Sequence, residues 1–444
     1  MNMSRIEKIT KNIKSSAIFR NVLTISTGTL FAQILIFLFT PLITRIYGPE
    51  EYGVYGLFTS IATIIIPLIA LTYEFAIVLP ETEKDAKNIF KLAILIVFIL
   101  SIFSGIIILI FGNLILDLFN MNELDNYINY LWLSLLSSGI QNVLMQWLIR
   151  KRFFNIRSKV AVTNALVTNI FSISVGLLFP SALTLILSSI LGHFLFVFSV
   201  LYRLNLISEI RKYIKKPKVL KNKFNFYELK RVSNEYSDFP KFRAPQITIS
   251  SLSNNLLTLF LTSLYGVASS GFYSIANRVL AMPTKLIGDA IGDAFYPHIN
   301  EQAKMGRKIK GSYLKATLTL ALIGVIPFGL IFIFGPYIFS LIFGSDWNTA
   351  GEFARWLSLS SYFLFITRPA TKILNVIEEQ KFFLKFTVIM TILEAIILLI
   401  VGNISQNAII GVIVYSITNG GLYLYLAIIC YFKCNKFDSQ NREI

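Results

Sequence analysis

Two continuous apolar stretches decide the fold: LAILIVFILSIFSGIIILIF at Leu92–Phe111 and ATLTLALIGVIPFGLIFIF at Ala316–Phe334. Each has the length of roughly 20 residues at which an α-helix crosses the hydrocarbon core of a bilayer. A segment in lipid must pair its own backbone polar groups, so such a run is a helix unless it belongs to a closed barrel. Barrel strands alternate apolar and polar residues, which these runs do not, and we therefore predict transmembrane helices.

The whole chain shares this apolar character. It has 444 residues, of which 55% are hydrophobic and 15% are charged, and its mean hydropathy is +0.65. A water-soluble protein carries about a quarter charged residues, so the composition excludes a soluble fold. It predicts an all-α integral membrane protein of about twelve spans. The expected spans are Asn21–Ile46, Gly53–Leu79, Ile89–Phe111, Tyr127–Ile149, Val160–Phe179, Ala182–Tyr202, Pro245–Tyr265, Gly271–Pro297, Ser312–Gly335, Ala350–Leu374, Phe382–Val401 and Ala408–Phe432.

Basic residues are concentrated in alternate loops. The loops between them are poor in lysine and arginine and instead carry Glu50, Glu51, Asp117, Glu123, Asp125 and Asp346. Because lysine and arginine resist translocation, we expect the basic loops and both termini in the cytoplasm. The formal net charge of +17 favours anionic lipids as partners. Nucleic acid is not expected as a partner, since spans interrupt the basic runs.

The chain divides at its longest polar loop. We expect a cytoplasmic segment at 1–20, an N-lobe at 21–202, a basic cytoplasmic linker at 203–243, a C-lobe at 244–432 and a cytoplasmic tail at 433–444. The linker is interpreted either as an amphipathic helix on the inner leaflet or as a solvated connection, and both can hold.

An internal repeat relates the two lobes. The first lobe contains Thr44, Tyr47, Gly48, Gly53 and Tyr55, and the second contains Thr262, Tyr265, Gly266, Gly271 and Tyr273 at identical spacings. Six spans in each half bring both halves into the membrane the same way up. The prediction is two six-helix lobes related by a parallel pseudo-two-fold repeat around a central cavity, an arrangement found in transporters that work by alternating access.

The expected eighth span carries charges that are costly in lipid. Arg278, Lys285, Asp289 and Asp293 fall within an arc of about 80° if the helix is regular. Arg278 lies about 10 Å and Lys285 about 21 Å along the span, on either side of the bilayer midplane. Arginine pairs with phosphate oxygens through two hydrogen bonds, so a basic midplane suits a pyrophosphate or acidic sugar. The alternative is an intrahelical ion pair between Lys285 and Asp289.

Further polar residues occur in other spans. Glu394 lies near the middle of its span and is a carboxylate that could carry a proton, and Glu74 is a candidate for lining the cavity. Arg368, Asn277 and Gln33 are candidates for substrate binding, although small polar residues also join helices structurally. Pro283 is expected to kink the eighth span. Cys430 and Cys434 do not have the spacing of a zinc site, and we expect neither a catalytic residue nor a metal or other cofactor.

Several segments resemble one family of transporters. They are RIYGPEEYGVY at Arg45–Tyr55, YEFAIVLP at Tyr73–Pro80, FPKF at Phe239–Phe242 followed by Ala244 and Pro245, GFYSIANR at Gly271–Arg278, and PTKLIG at Pro283–Gly288. In this order and spacing they are similar to the Wzx-type polysaccharide flippases of the multidrug/oligosaccharidyl-lipid/polysaccharide exporter superfamily.

The resemblance implies a function. A member would move undecaprenyl-pyrophosphate-linked oligosaccharide repeat units from the cytoplasmic to the periplasmic leaflet, for O-antigen or capsule assembly. Antiport of a coupling cation, H⁺ or Na⁺, is also implied, which makes Glu74, Asp289 and Glu394 candidates for ion coupling. A polysaccharide polymerase is implied as a partner. Two alternatives stay open: a membrane polymerase or glycosyltransferase, and a drug/cation antiporter of the same fold. Short outward loops argue against the first, and the basic eighth span argues against the second.

Overall fold

The computed structural model describes residues 17–204 and 226–440, and the side chains of Asp289 and Asp293 lie outside the described part. Within these two ranges all regular secondary structure is helical. The earlier helices are α1 Ala17–Ile69, α2 Tyr73–Ala76, α3 Glu83–Leu118, α4 Leu131–Arg150, α5 Phe154–Gly176, α6 Ala182–Arg203, α7 Phe226–Glu235 and α8 Ala244–Tyr265. The later helices are α9 Val267–Pro283, α10 Asp289–Lys304, α11 Lys310–Phe343, α12 Asn348–Ile366, α13 Arg368–Val376, α14 Gln380–Ile404 and α15 Ala408–Gln440.

The chain forms two compact units. The first comprises Met1–Tyr47 and Phe58–Asn255, and the second comprises Gly48–Leu57 and Leu256–Ile444. In the first unit α3 packs on α4, and α5 packs on α6; in the second, α12 packs on α9, α11 and α15. The segment Gly48–Leu57 therefore belongs with helices that follow it by some two hundred residues. The expected division into an N-lobe, a linker and a C-lobe stays a prediction.

The protein is a multi-pass membrane protein. In the described ranges, eight helices are long and apolar enough to cross a membrane. Their outer faces are strongly apolar: Leu109 on α3 and Leu322 on α11 are each 76% exposed, surrounded by other exposed aliphatic side chains. Continuous apolar surface of this kind is rare on soluble monomers and fits contact with lipid. A helix overlaps each expected span, while the number of spans in the bilayer stays a prediction.

Helix α3 is longer than its apolar run. It begins at Glu83 rather than at the expected Ile89, and it continues to Leu118. The hydroxyl of Thr82 caps its first turn by accepting a hydrogen bond from the Asp85 amide at 3.1 Å. Glu83 and Asp85 then place negative charge near the positive end of the helix dipole. Polar capping residues therefore extend the helix beyond the segment that hydropathy identifies.

An arginine closes the turn between α2 and α3. The Arg150 guanidinium donates to the carbonyl oxygens of Pro80 at 2.8 Å, Ile77 at 3.1 Å and Thr82 at 3.3 Å. The Thr82 carbonyl also accepts a hydrogen bond from the Ala86 amide at 3.3 Å, at the start of α3. The guanidinium supplies a donor to the Ile77 and Pro80 carbonyls where the chain turns, and a buried carbonyl without a donor is costly. Arg150, at the end of α4, is thus a structural residue of the first unit.

Helix α7 lies in the expected linker. Leu229 and Val232 are its buried residues. Lys84 donates to Glu228 at 2.6 Å, and Arg231 pairs with both Glu228 and Asp85. Hydrogen bonds from Lys84 and Arg231 hold the pKa of the Glu228 carboxyl below its usual range. This part of the linker is therefore an amphipathic helix docked on the first unit, whereas residues 205–225 lie outside the described part.

Candidate functional site

The two copies of the repeated motif adopt the same backbone conformation. Gly48 has φ 69° and ψ 174°, and Gly266 has φ 85° and ψ 164°. Only glycine adopts this region of φ and ψ without strain. Gly48 breaks helix α1, and Gly266 separates α8 from α9. The spacing noticed in the sequence therefore corresponds to a repeated helix break.

The copies also pack against each other within the second unit. A Cβ atom added to Gly53 would collide with the carbonyl oxygen of Val267, and one added to Gly271 would collide with that of Pro49. Each would also come within 3.1 Å of the other glycine's amide nitrogen. The two glycines therefore allow the backbones of the two copies to pack in direct contact. The helix turn after the break in one copy packs on the equivalent turn of the other.

Arg278 lies beside this glycine contact. Its guanidinium carbon lies 5.7 Å from the centroid of the Tyr52 ring, at cation–π distance. Among the described residues no carboxylate pairs with Arg278, and its side chain is half-buried on α9. The described side-chain contact of Arg278 is therefore with an aromatic ring, and an anion would complement its charge. This geometry fits the role of substrate-binding residue, which stays a prediction.

The helix that carries Arg278 is not regular. A π-helical turn at Thr284–Gly288 follows Pro283 and precedes α10. The π-helical turn interrupts the regular α-helix directly after Pro283, while the expected kink stays a prediction. The arc calculated for a uniform α-helix does not apply, because a π-helical turn shifts the phase of every later residue. Lys285 lies on this turn with an exposed side chain. The side chain of Asp289 is outside the described part, so the ion pair with Lys285 stays untested.

The other predicted substrate-binding residues lie at separate places. Arg368 begins α13 and packs beside the π-helical turn, where a Cβ on Gly288 would lie 3.3 Å from the Arg368 Cγ atom. Asn277 is exposed on α9 next to Arg278. Gln33 is exposed on α1 in the first unit. Arg278, Asn277, Lys285 and Arg368 thus all belong to the second unit, on α9, the π-helical turn and the start of α13, whereas Gln33 belongs to the first.

Glu394 lies in a buried polar cluster of the second unit. Its side chain is 2% exposed, and its carboxylate accepts a hydrogen bond from the Asn419 amide. The same amide nitrogen lies 3.3 Å from the Tyr415 hydroxyl, to which it donates. Tyr423 is within electrostatic reach of both Glu394 and Arg368. A carboxylate held this way can bind a proton or a small cation without a fixed positive partner.

Glu74 lies in a strained segment of the first unit. Its side chain is 4% exposed, and its Oε2 atom has no hydrogen-bond partner among the described residues. The two residues at the helix break before it, Leu71 and Thr72, have φ of 49° and 57°. Such conformations cost about 1–3 kcal/mol each and persist where the surroundings hold them. The Thr72 hydroxyl, which donates to the Phe239 carbonyl at 3.1 Å, is one such restraint.

The chain was compared with known protein families. A family model described as "Polysaccharide biosynthesis protein" matches residues 42–352, which is more than half of the chain. The chain belongs to this family. The match covers both copies of the repeated motif, Glu74 and the whole eighth span, while Arg368 and Glu394 lie beyond it.

Individual relatives agree with the family. The chain is 23% identical over 368 residues to the succinoglycan biosynthesis transport protein ExoT of Rhizobium meliloti (strain 1021), covering 79% of this chain and 68% of that protein. Its fold is similar to an inward-facing multidrug resistance MATE family transporter of the MOP superfamily, with TM-score 0.70, 16% identity and 93% and 96% of the two chains covered. The lipid II flippase MurJ, inward closed, gives TM-score 0.61, 16% identity and coverage of 94% and 90%. The resemblance to polysaccharide flippases of the MOP superfamily is therefore confirmed.

Two residues of the site were not predicted. Tyr52 was noticed only as part of a family segment, and Asn419 was not noticed at all. The signal for Tyr52 is a difference inside the repeat, because the equivalent position of the second copy is Ser270. Asn419 has no such signal, since one amide in a polar stretch of α15 is common among packed membrane helices.

Proposed function

We propose that this protein moves undecaprenyl-pyrophosphate-linked oligosaccharide repeat units from the cytoplasmic to the periplasmic leaflet of a bacterial inner membrane, in the assembly of O-antigen or capsule. The family match and the transport relative support a lipid-linked polysaccharide substrate. The proposed mechanism is alternating access of two six-helix lobes around a central cavity, with no chemical reaction.

One observation carries the assignment of the head group. Arg278 is a half-buried cation without an acidic partner in the described residues. Leaving a charge unpaired in a membrane protein is costly, so it is retained where a ligand supplies the opposite charge. The guanidinium can form two hydrogen bonds to one phosphate, and Lys285 and Arg368 add positive charge on neighbouring elements. A pyrophosphate is the anion in the proposed substrate.

Coupling to an ion gradient would drive the proposed alternating-access cycle. Glu394, Glu74 and Asp289 are the candidates, with H⁺ or Na⁺ as the ion. Burial favours the neutral form of a carboxylate, and a change in surroundings between two states of a transporter would release or capture a proton. Of the two acids with described side chains, Glu394 is better supported, because the Asn419 amide orients it.

The membrane environment completes the proposal. Both termini lie in the cytoplasm, where the basic loops contact anionic lipids. The docked helix α7 would lie on the same side, which brings its exposed Phe226 and Tyr227 to the level of the head groups. A polysaccharide polymerase is proposed as the protein that receives the translocated unit.

The decisive genetic experiment uses a deletion strain complemented with variants. Deletion should remove surface polysaccharide and leave lipid-linked units on the inner leaflet. Arg278→Gln should fail to restore polysaccharide at an unchanged protein level, because it removes the proposed partner of the pyrophosphate. Arg307→Gln, which changes an exposed loop arginine, is the matched control and should restore it.

Two outcomes would contradict the proposal. Single repeat units on the periplasmic face of the deletion strain would indicate a polymerase instead. Unchanged surface polysaccharide together with altered resistance to cationic drugs would indicate a drug antiporter.

A further inference from the structure

Tyr52 is a core tyrosine whose described neighbours are two aromatic rings and a guanidinium. Its side chain is 2% exposed, yet its hydroxyl has no hydrogen-bond partner among the described residues. Buried hydroxyls are normally paired, since an unpaired one loses its hydrogen bonds to water without replacement. A phenylalanine would satisfy packing alone without this cost. The contacts of Tyr52 are therefore those of its ring rather than of its hydroxyl.

The ring is fixed by its neighbours. Trp347 lies edge-on at 5.8 Å between centroids and 88° between planes, and Tyr55 lies at 6.0 Å and 74°. Trp347 is itself 1% exposed, and Phe272 contacts it from a further side at 6.1 Å. Edge-to-face contacts of this kind hold aromatic rings in one orientation. Tyr52 therefore presents a rigid ring to Arg278.

Arginine side chains are flexible, and their orientation decides what they can bind. A guanidinium near the face of an aromatic ring is attracted by the ring quadrupole and loses part of its rotational freedom. Its planar fork then points in a limited set of directions, which reduces the entropy lost when two phosphate oxygens bind. No carboxylate among the described residues competes for this fork.

We infer that Tyr52 is a positioning residue for a pyrophosphate-bearing prenyl lipid: its ring orients the Arg278 guanidinium to receive the pyrophosphate. The inference rests on the proposed function, because it assigns a neighbour to the same anion site. Tyr52 does not touch the ligand itself, and it acts through Arg278. The role belongs to one copy of the repeat, since the second copy has Ser270 at this position.

The test measures binding of farnesyl pyrophosphate to the full-length protein purified in detergent, by calorimetric titration, with farnesol as the ligand lacking phosphate. We expect Arg278→Gln to weaken binding at least about tenfold and Tyr52→Leu to weaken it roughly threefold to tenfold, the range expected for loss of a cation–π contact. Tyr52→Phe keeps the ring and should bind within about twofold of the natural protein. Tyr227→Leu, at a tyrosine 75% exposed on α7, is the control and should leave binding unchanged.

A double-mutant cycle separates positioning from folding. If Tyr52 acts through Arg278, the double variant Tyr52→Leu/Arg278→Gln binds no more weakly than Arg278→Gln alone. Additive losses would overturn the inference, as would normal binding by Tyr52→Leu or equal losses in Tyr52→Phe and Tyr52→Leu. If Tyr52→Leu does not fold, Tyr52→Met keeps an unbranched apolar side chain and takes its place. No binding by the natural protein would overturn both the inference and the proposed function, whereas normal Tyr52→Leu binding with a defective Arg278→Gln overturns the inference alone.

Discussion

The two copies of the repeated motif, Tyr47–Tyr55 and Tyr265–Tyr273, share their glycines and their first and last tyrosines, and they differ at the other positions. The shared residues perform the same task in both copies: Gly48 and Gly266 turn the chain, and Gly53 and Gly271 let the backbones touch. These tasks depend on backbone geometry, so a duplicated chain must keep them in both halves.

The residues that differ have separate tasks. The Ser270 hydroxyl donates to the carbonyl oxygens of Val267 at 2.7 Å and Gly53 at 3.2 Å, joining the copies. Tyr52, at the equivalent position, holds its ring beside Arg278 instead. The shared glycines thus give both copies the same backbone framework. The positions at which the copies differ, such as Tyr52 and Ser270, are available for separate functions.

The largest expected loss of stability follows substitution of the shared glycines. Gly53→Ala and Gly271→Ala each put a methyl group against a backbone carbonyl that cannot rotate away, and each should cost about 3 kcal/mol or more. Thermal unfolding of the purified protein in detergent measures the loss. Gly421→Ala, where an added Cβ meets no atom within 4 Å, should be neutral or stabilising. Similar unfolding midpoints for all three variants would contradict the close packing of the two copies.

A second difference lies in the first tyrosine of each copy. The Tyr47 hydroxyl donates to the Ser172 carbonyl at 2.5 Å, whereas the buried Tyr265 hydroxyl has no hydrogen-bond partner among the described residues. We expect Tyr47→Phe to destabilise by about 1 kcal/mol and Tyr265→Phe to be neutral or stabilising. Differential unfolding of the two variants checks this. Equal destabilisation would show that the copies are more symmetric than their contacts indicate.

The smallest expected loss of stability follows substitution of two neighbouring serines. Ser270→Ala removes the hydroxyl that links the copies and should cost roughly 1 kcal/mol. Ser269→Ala removes a bond within its own helix, to the Tyr265 carbonyl at 3.2 Å, and should cost about half as much or less. The thermal midpoints of the two single variants give the order, and a larger loss for Ser269→Ala would reverse the interpretation.

Sequence patterns located the membrane helices but not their ends. Hydropathy identified α3 and α11 because lipid demands continuous apolar runs. Both helices begin at polar residues before their apolar runs, at Glu83 and Lys310, and at α3 the Thr82 cap marks the start. An interruption of the helix near Pro283 follows from the chemistry of proline, but the sequence does not indicate the π-helical turn after it. That turn shifts the phase of the residues that follow it, so the arc calculated for a uniform helix does not apply to them.

The candidate site was predictable only where a charge is costly in lipid. Arg278, Glu74 and Glu394 could be singled out because an ionisable group in an apolar run needs a reason. Tyr52, Asn419 and Arg150 could not, because their roles come from residues distant in sequence. The role of Arg355 also depends on residues distant in sequence. Its side chain donates to the Phe332 carbonyl at 3.2 Å. Pro336, four residues after Phe332, has no backbone N–H and cannot donate to that carbonyl.

Transport of a lipid-linked unit is the central claim, and reconstitution tests it most directly. The protein would be placed in liposomes with the lipid-linked oligosaccharide extracted from the deletion strain, and the fraction of sugar exposed on each leaflet would be followed over time. We expect faster exchange between leaflets than in protein-free liposomes, a dependence on an H⁺ or Na⁺ gradient, and loss of the acceleration in Arg278→Gln. Folded natural protein that leaves the exchange rate at the protein-free level, with either gradient, would contradict the account.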